Sequence, residues 1–440
     1  MKRTLFLLAF SFLIVVNSVY SEEPEQIALK FLNLLKQEKF TDAEKMVAEG
    51  ALKYLSADKT KEFWLQLDSR YGKVVKFGTP EKQKSLKNNI YLIKFFFEND
   101  SLNCRIVVDE NQKISAMLFV PFTRDYSFAL PNYADTTKFY EIETTFGVPG
   151  WELPAKITIP RRTGQFPAVV LVHGSGPNDM DETIGGHKVF RDIAYGLSSN
   201  GIVVFRYEKR TREYPSKIAQ DYDNLTIWEE TMEDAIKAVA YLQEQDHVDP
   251  YKIYVLGHSL GGHIAPRIAQ SYSGISGIIV MNGNARKLHQ IVLDQYEYIF
   301  NLDGRINEYE ANELKKVRRQ VEMLEKGEFT DSTSRDSLLL MLPAKYWKDL
   351  IQYDPIETAR NLEIPILILA ADNDYQILPL EFDLWKKSLG NKKNVSFKMF
   401  PKLNHLMVYS PKKSKPSDYE KEGYVSEDVI KTILEWIKRK

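Results

Sequence analysis

The sequence predicts two domains: an α/β domain on a mostly parallel sheet flanked by helices, with a helical cap insertion, preceded by a small α+β domain. Three observations predict this. After about residue 133, short apolar strand patterns alternate with helical ones, the pattern of a parallel sheet. Within that stretch, Gly257-His258-Ser259-Leu260-Gly261 lies between the apolar run Ile253-Tyr254-Val255-Leu256 and a helix-compatible stretch over 262–272. Before residue 121, helical patterns come first and extended runs follow. The chain's 440 residues also exceed a typical single domain.

From the N-terminus, Met1-Lys2-Arg3 is followed by an apolar run over 5–16, then Val19-Tyr20-Ser21 and the acidic pair Glu22-Glu23. This is the layout of a cleaved secretory signal at 1–21, so the chain is expected to be exported, periplasmic or secreted. The run is too short for a stable membrane span, and no cysteine lies near the cut to carry a lipid. Loss of Lys2 and Arg3 leaves 57 basic against 60 acidic residues, a net charge of −3. Such a near-neutral chain does not suggest a nucleic-acid or anionic-membrane partner. Cys104 is the single cysteine, so no intrachain disulfide forms, which suits a bacterial exported protein large enough to rely on its own core.

Residues 22–121 read as the α+β accessory domain. Ile27, Phe31, Leu34 and Leu35 recur at helical spacing, Thr41-Asp42-Ala43-Glu44 reads as a capping box, and 58–71 reads as a third helix. Extended runs over 91–97, 102–108 and 114–120 follow, separated by polar breaks such as Glu98-Asn99-Asp100. Phe95-Phe96-Phe97 reads as sheet core, and nothing in this domain reads as catalytic.

A linker near 122–137 leads into the main domain, 133–440. Runs over 139–145 and 155–159 read as antiparallel strands, and 169–172 and 202–205 as buried strands. Residues 228–243 read as a helix. Between the strands at 277–281 and 366–369 lies a long insertion, 283–363. Its helix is marked by Tyr309, Leu314, Val317, Val321 and Leu324 and closed by Gly327. An insertion of this length inside a compact domain is normally functional, here as a cap over the strand ends.

The pentapeptide carries the chemistry. In a strand–turn–helix, a Gly-x-Ser-x-Gly serine sits on a sharp, strained turn with its hydroxyl projecting from the sheet edge. A serine hydroxyl needs an imidazole to take its proton, and the imidazole needs a carboxylate to fix its tautomer. The strand at 366–371 ends in Asp372-Asn373-Asp374, and the strand at 395–400 leads to His405. Ser259, then Asp374 or Asp372, then His405 is the expected chain order. The strand at 169–172 runs into His173-Gly174-Ser175-Gly176-Pro177. A backbone N–H of this loop, at Ser175 or the neighbouring Gly174, would join that of Leu260 as an oxyanion hole. His173 reads as a loop brace. Trp347, Tyr346, Met341 and Tyr296 in the cap are candidates for lining an acyl or leaving-group pocket; the alternative for each is that it packs the cap on the sheet. The seven histidines show no metal-ligand spacing, and no Gly-x-Gly-x-x-Gly or P-loop occurs, so no metal and no cofactor are expected.

On the elbow, the 171–185 segment Leu-Val-His-Gly-Ser-Gly-Pro-Asn-Asp-Met-Asp-Glu-Thr-Ile-Gly, the block 190–197 and Arg206-Tyr207-Glu208-Lys209-Arg210-Thr211, residues 133–440 resemble the α/β-hydrolase superfamily. The branch is that of exported bacterial serine aminopeptidase-like and acetyl-esterase-like hydrolases. The accessory domain resembles the cone-shaped, nuclear-transport-factor-like domains found ahead of such enzymes. The resemblance places the acid in a Gly-x-x-Asp-x-Gln-Val pattern. Here that falls on Ala371 to Ile377, with Ala for Gly and Ile for Val, and it selects Asp374. It implies a serine hydrolase cleaving small-molecule carboxylic esters through an acyl-enzyme. The alternatives are a serine aminopeptidase acting on short peptides, with Asp181-Glu182 as a possible amine site, and a non-catalytic binding protein of hydrolase shape. The same acids are otherwise expected to pair with Arg191 or Arg206 and brace the loop.

Overall fold

The computed structural model describes residues 23–83, 89–98, 101–121 and 126–439. The signal expected at 1–21 lies outside them. The chain divides into two compact units, 1–124 and 125–440.

The first unit opens with helices α1 (Pro24–Lys36), α2 (Phe40–Glu44), α3 (Leu52–Leu55) and α4 (Ala57–Tyr71). Strands β1 (Val74–Phe77), β2 (Glu81–Gln83), β3 (Asn89–Phe97), β4 (Ser101–Val108) and β5 (Ile114–Pro121) form an antiparallel sheet. On β3 the residues Tyr91, Ile93, Phe95 and Phe97 alternate inward, and α1 buries Ile27, Phe31 and Leu35 in the same core. The second helix begins at Phe40, one residue before Thr41, and Lys39 holds its N-cap position, so no capping box forms at Thr41. Strands β1 and β2, not expected from the sequence, pair with β3.

The second unit is an eight-stranded sheet. In chain order its strands are β6 (Phe139–Val148), β7 (Trp151–Pro160), β8 (Phe166–Val172), β11 (Val203–Tyr207), β12 (Val248–His258), β13 (Gly277–Met281), β14 (Ile366–Ala371) and β15 (Val395–Phe400). A small hairpin, β9 (Thr183–Ile184) and β10 (His187–Lys188), stands apart from it. The spatial order is β15-β14-β13-β12-β8-β11-β7-β6. The β6–β7 hairpin joins antiparallel, and the strands from β11 to β15 pair in parallel. The central strands are apolar on both faces, as a sheet covered by helices on each side requires.

The helices of this unit are α5 (Val189–Ser198), α6 (Arg210–Glu213), α7 (Pro215–Gln220), α8 (Glu233–Gln243), α9 (Leu260–Ser271), α10 (Leu288–Phe300), α11 (Glu308–Lys326), α12 (Ala344–Gln352), α13 (Pro355–Asn361), α14 (Pro379–Leu389) and α15 (Glu427–Lys438). Helix α11 starts in a capping box between Asn307 and Glu310, buries Leu314, Val317, Val321 and Leu324, and ends at Gly327 in the left-handed conformation. The side chain of Tyr309 lies outside the described residues. The helix expected over 228–243 begins instead with a π-helical turn, Trp228–Met232, and only then becomes α8. Helices α10 to α13 fill the insertion between β13 and β14. Among the described residues no helix is long and apolar enough to cross a membrane.

Candidate active site

Strand β12 ends at His258 and α9 begins at Leu260, so Ser259 alone makes the turn. Its backbone lies at φ 54° and ψ −118°, a conformation that costs a non-glycine residue about 1–3 kcal/mol. The neighbours hold it there: its N–H donates to the Met281 carbonyl at 2.9 Å, and its carbonyl accepts from the His263 N–H at 2.9 Å. The motif's glycines are required by close approach. A Cβ on Gly257 would lie 2.1 Å from the Gly261 carbonyl oxygen, and one on Gly261 would lie 2.3 Å from that of Val172.

His405 lies on the turn after β15, buried beside Asp374, with Nδ1 2.7 Å from Asp374 Oδ2. A carboxylate only accepts, so Nδ1 carries the proton, and in the neutral imidazole the free lone pair is then on Nε2. The other oxygen of Asp374 accepts the N–H groups of Gln376 at 2.7 Å and Ile377 at 3.0 Å, which fixes the carboxylate. Asp372 is exposed and accepts the Lys402 N–H instead.

Ser259, His405, Gly174 and Ser175 line one cavity of about 330 Å³. Its apolar wall is Leu288, Ile291 and Val292 of α10 with Leu340, and its polar wall includes Gln295, Gln376 and Tyr419. Of the four cap residues expected to line it, Tyr296 does. The structure corrects the other three. Trp347 is fully buried, its indole N–H donating to the Leu339 carbonyl at 3.0 Å. Tyr346 is buried with its hydroxyl on Glu230. Met341 faces solvent, 58% exposed, and its neighbour Leu340 reaches the cavity.

The loop after β8 brings a second correction. The Gly174 N–H donates to Glu182 Oε1 at 2.9 Å, so this N–H is not available to a substrate oxygen. Leu260 is buried as the first residue of α9, where a helix N–H has no intrahelical acceptor. His173 is buried with Nε2 at the Asp179 carbonyl, and burial pushes its pKa down to about 4.

Asp181 and Glu182 divide their roles. Asp181 pairs with Arg206 at 2.9 Å and Lys188 at 2.8 Å, while Arg191 pairs with Asp192. Glu182 is buried, and its Oε2 meets Nδ1 of the buried His258 at 2.9 Å. His258 Nε2 faces the His405 carbonyl at 2.9 Å. Both ring nitrogens of His258 therefore point at acceptors, the environment of an imidazolium. Burial opposes the charge, but the Glu182 carboxylate outweighs it and raises the His258 pKa. Burial likewise acts to raise Glu182, but the His258 charge together with the hydrogen bonds from His258 and the Gly174 N–H outweighs it, leaving the Glu182 pKa lowered. The sequence showed these residues side by side with the motifs but gave no sign of the pairing. Among the described residues, no group of three or more His, Cys, Asp or Glu is placed to hold a metal ion.

This fold and elbow are those of an α/β hydrolase. The model of the alpha/beta hydrolase family matches residues 169–414, and the chain belongs to that family. A family described as a protein of unknown function, DUF3887, matches residues 28–117. The chain is 37% identical to Esterase EstD of Thermotoga maritima, over 99% of this chain and 100% of that protein. Among solved structures it is similar to Est1E from Butyrivibrio proteoclasticus, at 15% identity and a TM-score of 0.43, covering 68% of this chain and 99% of that one. It is also similar to the Pyrococcus horikoshii acylaminoacyl peptidase, at 15% identity and a TM-score of 0.45, covering 83% of this chain and 49% of that one.

Proposed function

We propose that the protein hydrolyses small carboxylic esters through a covalent acyl-enzyme. The observation that carries this reading is that His405, hydrogen-bonded to Asp374 at 2.7 Å, shares one cavity with Ser259. His405 Nε2 takes the Ser259 proton as Oγ attacks the ester carbonyl carbon. The oxyanion of the tetrahedral intermediate is held by the N–H groups of Leu260 and Ser175, each worth about 3 kcal/mol. Asp374 stabilises the imidazolium. The intermediate collapses, the C–O bond to the alcohol breaks, and His405 returns the proton to the departing alkoxide. Water, deprotonated by His405, then attacks the acyl-serine; the acyl C–Oγ bond breaks as His405 returns the proton to Oγ, which releases the acid and restores Ser259.

Two observations favour an ester over a peptide with a free amino terminus. The chain's 37%-identical relative is named an esterase. Among the described residues Glu182 is the only carboxylate lining the cavity, and its two oxygens are engaged by His258 and Gly174, so none of the described carboxylates there is free to receive an ammonium group. The modest cavity suits short acyl groups.

The test is hydrolysis of p-nitrophenyl esters from acetate to octanoate, with fluorophosphonate labelling and Ser259→Ala alongside. Turnover and labelling of the native protein are expected, both lost in Ser259→Ala, with a short-chain optimum. Labelling without ester turnover would move the reading to aminoacyl substrates. Neither labelling nor turnover would leave a binding protein of hydrolase shape.

A further inference from the structure

One buried cation beside the site has no role in the proposed chemistry. Lys209 follows β11 and is 1% exposed. Its Nζ donates to the Gly174 carbonyl at 2.8 Å and to Glu230 Oε1 at 2.6 Å. The other oxygen of Glu230 accepts the hydroxyl of Tyr346, on α12 of the insertion. Burying a lysine and a glutamate together costs several kcal/mol of desolvation, which their mutual attraction at best roughly offsets. The pair is therefore a poor candidate for a device that merely stabilises the fold.

The geometry at Gly174 gives it a use. The Gly174 carbonyl and the Ser175 N–H belong to one trans peptide and point in opposite directions. Lys209 and Asn178 Nδ2, the latter at 3.2 Å, hold the carbonyl, and Glu182 holds the preceding N–H. With the carbonyl turned to Lys209, the Ser175 N–H is presented on the opposite side of the peptide. A rotation of this peptide would put a carbonyl oxygen where the donor belongs, and a carbonyl repels an oxyanion.

Glu230 adds an independent observation. It lies in the π-helical turn Trp228–Met232, a rare conformation frequently found at functional sites, and the turn buries Glu230. The same insertion segment shapes the cavity. The indole of Trp347, the residue after Tyr346, holds the Leu339 carbonyl, and Leu340 follows in the cavity wall.

We propose that Lys209, Glu230 and Tyr346 form a buried relay that orients the Gly174–Ser175 peptide as an oxyanion donor and ties its orientation to the docking of the helical insertion. All three are positioning residues. The inference rests on the acyl-enzyme reading above, with Ser175 as a donor.

The experiment compares Lys209→Met and Tyr346→Phe with the native full-length protein. Fluorophosphonate titration counts functional serines, p-nitrophenyl acetate gives kcat and KM per titrated site, an alkylboronic acid reports binding of a tetrahedral adduct, and thermal unfolding checks the fold. For Lys209→Met, kcat is expected to fall about 10²–10³-fold, as for loss of an oxyanion donor. For Tyr346→Phe it falls about tenfold, the equivalent of one hydrogen bond to a charged group. In both, KM stays within about twofold while boronate affinity falls in step with kcat. A merely structural role would lower the melting temperature and leave kcat per titrated site and boronate affinity unchanged; that result overturns the proposal. If Lys209→Met does not fold, Tyr346→Phe decides by the same criteria. Failure of the native protein to titrate would instead overturn the acyl-enzyme reading, and this inference with it.

Discussion

Replacing Glu182 tests whether a buried ion pair braces the site. Glu182 and His258 are each 1% exposed, so neither finds water when its partner is removed. Glu182→Ala leaves the Gly174 N–H and one ring nitrogen of His258 without acceptors. Breaking a buried pair from one side costs about 3–5 kcal/mol. At about 2 °C per kcal/mol for a domain of this size, the melting temperature should fall by about 6–10 °C. Glu182→Gln should cost less, about 1 kcal/mol. Its amide oxygen can still accept from Gly174, and its amide N–H can donate to Nδ1 of a His258 that has become neutral. The pH dependence separates the two states. His258 has a raised pKa, so its contribution is complete below its ordinary 6.5 and is lost as pH rises through the folded value. Glu182 has a lowered pKa, so its contribution is present above its ordinary 4.5 and is lost as pH falls through the folded value. The stability difference between native and Glu182→Gln protein should therefore be greatest from about pH 4.5 to 6.5 and narrow on either side, read by calorimetry from pH 4 to 9. A loss in Glu182→Ala of under about 1 kcal/mol, as for a surface pair, would refute the argument. So would a difference from Glu182→Gln that does not vary with pH.

Asp374→Asn should lower kcat about 10⁴-fold on p-nitrophenyl acetate with little change in melting temperature, because the amide fits but selects the wrong imidazole tautomer. Asp372→Asn, whose side chain holds only the exposed Lys402 N–H, should stay within about threefold of native activity, and equal losses in the two variants would reverse the assignment of the acid. Gly257→Ala should fail to give folded protein or lower the melting temperature severely, since its Cβ would lie 2.1 Å from the Gly261 carbonyl oxygen; a native-like melting curve would contradict the close packing of β12 and α9.

What was legible in the sequence was what is local or fixed by chain order. The elbow lies wholly within one strand, one turn and one helix, and its glycines are dictated by contacts of that unit with itself and with Val172. Asp374 and His405 follow the ends of β14 and β15, adjacent parallel strands, so chain order already brought them to one edge. Of the cap aromatics Tyr296 lines the cavity while Trp347 and Tyr346 pack in the core, because a residue type says nothing about which way a helix face turns. In α12 the buried positions Ala344, Trp347 and Tyr346, Leu350 are spaced as a core-facing stripe, and that spacing was the available signal. Glu182 and His258 are 76 residues apart, and no periodicity links them. The π-helical turn at Trp228–Met232, which buries Glu230, has no mark in the apolar spacing that reads as one helix over 228–243.

The buried polar groups around the site share one arrangement: charges and amides act on backbone. Glu182 holds the Gly174 N–H, Lys209 its carbonyl, and His258 Nε2 with Asn282 Nδ2, at 2.7 Å, the carbonyl of His405. Asn282 in turn accepts the Ala371 N–H of β14, at 3.0 Å. A side chain can change rotamer, but the peptide groups on either side of Gly174 cannot turn without breaking a buried hydrogen bond, the 173–174 group its N–H to Glu182 and the 174–175 group its carbonyl to Lys209, at about 1–3 kcal/mol each. The chain Gly174–Glu182–His258–His405 thus joins the proposed oxyanion loop to the proposed base through a single ion pair. Glu182→Ala should therefore lower kcat per titrated serine as well as stability, because it releases the Gly174 N–H and the Nδ1 side of His258 at once.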